Sequence, residues 1–88
     1  MKLIIAILRD SDNDTVSNAL TQANFRVTYV ASTGGFLRKG QSTLMIGVED
    51  DLAEQALDII RQHVTRATEN DARHSIIFVL PVAQFHHF

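Results

Sequence analysis

The sequence predicts an α+β fold, four strands and two helices in the order βαββαβ, as one domain over residues 1–88. Three observations predict it. Four short runs are apolar and rich in β-branched residues: Leu3 to Leu8, Phe25 to Ala31, Thr43 to Val48 and Ser75 to Val82. Two stretches between them repeat apolar residues at the spacing of a helix with one buried face. All four glycines, Gly34, Gly35, Gly40 and Gly47, fall between residues 24 and 47, so special backbone geometry is expected there.

The elements follow in order. Leu3 to Leu8 is a continuous apolar run bounded by charge, which suits a strand buried on both faces. Arg9 to Asp14 reads as a polar break whose Ser and Asp residues cap the first helix. Val16, Ala19, Leu20 and Ala23 form that helix's apolar stripe, and Asn24 ends it. In the second strand Phe25, Val27, Tyr29 and Ala31 alternate with Arg26, Thr28 and Val30. Ser32 to Ser42 is then a connection longer than a tight hairpin needs, and long loops on a rigid sheet often carry function. After the third strand, Glu49, Asp50 and Asp51 supply a cap and an acidic first turn. Ala53, Ala56, Leu57, Ile60 and Val64 give a second helix through about Thr65. Arg66 to Arg73 reads as loop, and Pro81 near the end of the last strand suggests an edge or terminating position.

This order is the split βαβ arrangement of ferredoxin-like folds. Right-handed crossovers place the first strand beside the third and the fourth beside the first, with both helices on one face. The other face, either Leu3, Ile5, Ile7 or Ile4, Ala6, Leu8, is then apolar and open, which implies a homo-oligomer.

Composition narrows the classes. A net charge of −2 argues against a nucleic-acid polymer or an anionic membrane as partner. The absence of cysteine excludes disulfides and thiolate metal sites. The N-terminal apolar run is too short for a signal peptide, and no run reaches membrane-spanning length, so a cytoplasmic location is expected. No G-x-S-x-G, Walker or G-x-G-x-x-G pattern is present, and no catalytic residue is assigned: an enzyme is not expected. His63, His74, His86 and His87 lack ligand spacing, so no metal or cofactor is expected. The alternative is that His86 and His87 bind a metal with a residue of another subunit.

The stretch from Thr33 to Leu37 is the better candidate. Gly34 and Gly35 free backbone N–H groups for an anion, Thr33 adds a hydroxyl, and Phe36 beside Leu37 offers a ring that can stack on a base. Arg26 and Thr28, two residues apart on one side of a strand, present a cation and a hydroxyl suited to phosphate. The competing reading packs Phe36 and Leu37 on a neighbouring subunit and leaves Arg26 a solvated edge charge.

The segments MKLIIAI, NFRVT, ASTGGFLRKGQSTLMIGVEDD and FVLPVAQFHHF together resemble the cyclic di-AMP receptor family of PII-like signal-transduction proteins, collinearly over nearly the whole chain. The resemblance implies a ferredoxin-like homotrimer that binds a cyclic dinucleotide at each subunit boundary and performs no catalysis. It implies that Arg26 and Thr28 face the phosphates and the purine edge. Thr33, Gly34, Gly35, Phe36 and Leu37 would form the contacting loop, with Phe36 against an adenine. Gly47 would let the backbone approach the other base, and the tail from Phe85 to Phe88, His87 included, would close the pocket from a neighbour. Two features depart from the family's pattern. Gln41 stands where Asn is usual, which keeps the amide one methylene further out. Thr65 to His74 replaces a much longer loop expected to relay ligand state to a protein partner. The alternative is a trimeric PII-like interaction module that has lost cyclic di-AMP or binds another nucleotide.

Overall fold

The computed structural model describes residues 1–31, 40–64 and 75–83. Its elements are β1 (Lys2–Arg9), α1 (Asp10–Gln22), β2 (Arg26–Ala31), β3 (Gln41–Val48), a 3-10 turn (Asp50–Leu52), α2 (Ala53–His63) and β4 (Ile76–Pro81). The strands form one antiparallel sheet in the order β2-β3-β1-β4, as the crossover argument requires. The fold is the α+β, ferredoxin-like βαββαβ arrangement, and β4 with its Pro81 is an edge.

Register decides which face each strand residue serves. One set of rows aligns Val27, Ile46, Ile4 and Val79, then Tyr29, Leu44, Ala6 and Ile77. Ile4, Ala6, Leu8, Leu44 and Ile46 of this face are fully buried with Val16 and Leu20 of α1 and Ala56 and Ile60 of α2. Both helices therefore cover the even-numbered face of β1. The opposite rows align Arg26, Gly47, Leu3 and Leu80, then Thr28, Met45, Ile5 and Phe78. Leu3, Ile5 and Ile7 on that face are half-buried, and Ile76, Phe78 and Leu80 are exposed.

Several boundaries differ from the sequence expectation, each for a local reason. No polar break separates β1 from α1: the helix begins at Asp10, directly after the extended Arg9. Neither Ser11 nor an aspartate caps it, since the N-cap is Arg9 without a side-chain cap. Instead Asp10 N–H donates to the Gly40 carbonyl at 2.8 Å, and the Asp10 carboxylate accepts from Ser42 Oγ. Asp10 and Asp12 then place negative charge in the first turn, where the helix dipole favours it.

The helix ends as expected at Asn24, which takes a left-handed φ of 70°. Phe25 N–H donates to Leu20 O and Asn24 N–H to Thr21 O, both at 3.0 Å, the paired bonds of a Schellman stop. Phe25 thus closes the helix and joins the core next to Leu20, so the strand starts one residue later at Arg26.

β2 carries a register shift between Tyr29 and Ala31, which moves Ala31 opposite Thr43 and breaks the expected alternation at Val30. β3 begins at Gln41, two residues before the expected start, because Gln41 and Ser42 pair with Arg9 and Leu8 of β1. The connection before β3 therefore ends at Gly40, whose φ of +89° favours glycine. After β3, Asp50–Leu52 form a 3-10 turn rather than the first turn of α2, with no side-chain cap from Glu49. α2 ends at His63, where Val64 turns extended.

Candidate nucleotide-binding groove

Register brings Arg26 and Thr28 to the open face of β2. Gly47 sits directly opposite Arg26, and Met45 directly opposite Thr28. Cross-strand partners on one face hold their β-carbons about 4.5–5.5 Å apart. With Met1, Lys2, Leu3 and Val82 these residues line a groove of about 450 Å3.

Glycine at 47 leaves room in that groove for the end of Met1. A β-carbon there would lie 3.2 Å from Met1 Cε, the mobile end of a thioether chain. The β3 backbone at this point is exposed and covered by no side chain of its own, and a ligand reaches it once the Met1 thioether end shifts. The walls around it, Met1, Leu3, Met45 and Val82, are apolar side chains against which a flat ring can pack.

The electrostatics are simple. Arg26 is exposed and takes part in neither ion pair found among the described residues. Its guanidinium is thus available for a bidentate anion contact. Thr28 is also exposed, so its hydroxyl can donate beside it. Lys2 reaches the same region, but its charge acts on Asp50. The Asp50 carboxyl is held below the usual aspartate range chiefly by its hydrogen bond from the Met1 amino group, with Lys2 adding to the effect. The Met1 amino group lies 2.8 Å from Asp50, and the Met1 carbonyl accepts from Val82 N–H at 2.9 Å. These contacts seat Met1 at the edge of the groove.

The sequence-predicted residues divide three ways. Arg26, Thr28 and Gly47 come together. Gln41 does not join them: it stands at the other end of β3, six positions from Gly47, about 20 Å at about 3.3 Å per residue. Thr33, Gly34, Gly35, Phe36, Leu37 and His87 lie outside the described residues, as does the rest of the C-terminal tail.

Sequence reasoning missed Met1, Leu3, Met45 and Val82 as groove walls. Their signal was parity: Met45 and Leu3 share a face with Gly47 and Thr28 once the register is known. His63 is half-buried, with Nδ1 2.8 Å from the Ile59 carbonyl, so that nitrogen donates the proton to its own helix. Among the described residues, no three His, Asp or Glu side chains gather as a metal ion would need.

A sequence profile described as cyclic-di-AMP receptor matches residues 1–72. The chain belongs to the cyclic-di-AMP receptor family. The match takes in every strand of the groove except the segment carrying Val82. A solved structure described as a functionally unknown protein from Pediococcus pentosaceus ATCC 25745 is also similar. It shares 35% identity with a TM-score of 0.80, covering 99% of this chain and 96% of that one. Membership in this family makes the groove a candidate site for a small-molecule nucleotide. Among the described residues, no helix is long and apolar enough to cross a membrane.

Proposed function

We propose that this protein is a PII-like nucleotide sensor that binds cyclic di-AMP at the subunit boundaries of a cytoplasmic homotrimer and catalyses no reaction. The observation that carries the reading is the convergence of Arg26, Thr28 and Gly47 on one groove with apolar walls. Each part suits a piece of a cyclic dinucleotide. The Arg26 guanidinium pairs with a phosphodiester, and Thr28 donates to a phosphate or a purine edge. With the Met1 thioether end moved aside, the side-chain-free backbone at Gly47 admits an adenine that rests on Met45, Leu3 and Val82. No general base or nucleophile is assigned to the groove, which fits capture rather than turnover.

Two features support the boundary location. The exposed apolar strip of Ile76, Phe78 and Leu80 continues the open sheet face that holds the groove, and such strips mark association surfaces. Gln41 stands too far along β3 to share one end of a groove with Gly47 of its own chain. A nucleotide that contacts both would take them from different copies.

The same apolar strip favours a second reading, a trimeric interaction module without cyclic di-AMP. Thermal melts separate the two. A ligand that binds only the folded state at about one hundred times Kd raises stability by roughly 2.7 kcal/mol per site. A clear upward shift with cyclic di-AMP, and little with AMP, supports the sensor. No shift with any nucleotide supports the module.

A further inference from the structure

Among the described residues Gln41 has one strand neighbour. Its backbone pairs with Arg9 of β1, and the last described β2 residue, Ala31, lies opposite Thr43. Gln41 is the first residue of β3, and strand ends open more easily than strand centres. Both residues flanking Gln41 are, however, tied to one aspartate. The Gly40 carbonyl accepts the Asp10 N–H at 2.8 Å, and Ser42 Oγ donates to the Asp10 carboxylate. Ser42 is 1% exposed and faces the helix layer, so its hydroxyl has little access to water and depends on this partner. Gly40 takes its left-handed φ just before the strand. Fixing the residues on either side of Gln41 fixes the backbone of Gln41 between them. Its parity, shared with Thr43, Met45 and Gly47, then directs the amide to the open face.

We infer that Asp10 is a positioning residue for ligand recognition, acting through Gln41 without touching the nucleotide. The inference rests on the cyclic di-AMP reading and on Gln41 as a contact residue. It adds a link between the start of α1 and the binding face. The polar group that the longer Gln side chain presents is only as well aimed as its backbone is fixed.

A double-mutant cycle tests it, with cyclic di-AMP as the titrant and the full chain throughout. Asp10→Ala should weaken binding about 3- to 10-fold, the range of one lost hydrogen bond. Ser42→Ala should do the same from the other side while leaving the helix start intact, so a folding defect of Asp10→Ala cannot decide the matter. In a Gln41→Ala background either change should have little further effect, because the group being aimed is gone. In an Arg26→Ala background the full factor should persist. Wild-type affinity in both Asp10→Ala and Ser42→Ala overturns the inference while the sensor reading stands. So does the full factor surviving in Gln41→Ala. Absence of binding by the wild type overturns both together.

Discussion

Gly47→Ala separates the groove from the fold, because it should move stability and binding in opposite directions. Gly47 lies within β3, and its backbone is compatible with any residue. Adding a methyl group restricts the unfolded chain and favours folding by about 0.5–1 kcal/mol. The new β-carbon meets Met1 Cε at 3.2 Å, which a flexible thioether can relieve by moving a few tenths of an ångström. Net stability should therefore stay level or rise by up to about 1 kcal/mol. Binding should suffer, since the methyl occupies the space beside Arg26 through which a base would reach the β3 backbone. Overpacking of a fitted site costs about 1–3 kcal/mol, hence roughly 5- to 150-fold in Kd. Chemical denaturation and calorimetry on the same preparations measure both sides. Unchanged affinity for cyclic di-AMP would refute the backbone-approach argument. A folding loss beyond about 1 kcal/mol would show that Gly47 serves the sheet instead.

Three further outcomes follow from the same geometry. Arg26→Ala should weaken cyclic di-AMP binding most at low ionic strength and leave the melting temperature of the free protein nearly unchanged, since the side chain is exposed and unpaired among the described residues; a salt-independent loss would argue against a phosphate contact. Asn24→Gly should stabilise by a few tenths of a kcal/mol and Asn24→Ala destabilise by about 1 kcal/mol, because the φ of 70° strains a β-carbon; equal denaturation midpoints for the two variants would contradict the left-handed stop. Phe78→Glu should leave a folded but lighter species in sedimentation, as Phe78 is 49% exposed on the open apolar face of the chain; an unchanged mass would remove that face from the proposed trimer.

Much of this architecture was legible in residue patterns, and the exceptions have identifiable causes. Strand order and the shared helix face followed from apolar runs and chain connectivity. Which face of β1 stays open did not, because both its parities are aliphatic and only the register distinguishes them. The start of α1 was hidden by composition: Asp12 falls on the same helical face as Val16 and Leu20 and is buried there, so the stripe begins with a carboxylate. The start of β3 was hidden in the same way by Ser42, a buried hydroxyl whose partner Asp10 is remote in sequence. The shift at Val30 left no trace, since a β-branched residue suits a bulge and a regular strand equally in a pattern search.

At the site, Arg26 and Thr28 stood out as a cation and a hydroxyl two residues apart on one side of a strand, and Gly47 through the family resemblance. Met45 and Leu3 did not, since an apolar strand residue looks the same whether it meets a ligand, a helix or a second chain. Gln41 was assigned to a loop and proves to be paired to Arg9, which changes how it can serve a ligand.

Calorimetric titration of the wild-type protein with cyclic di-AMP decides whether the groove is a nucleotide site. Saturable binding of one nucleotide per chain, strongly reduced in Arg26→Ala, is the expected result. A folded wild-type protein that takes up no cyclic di-AMP, or one whose uptake is unaffected by Arg26→Ala, would contradict it.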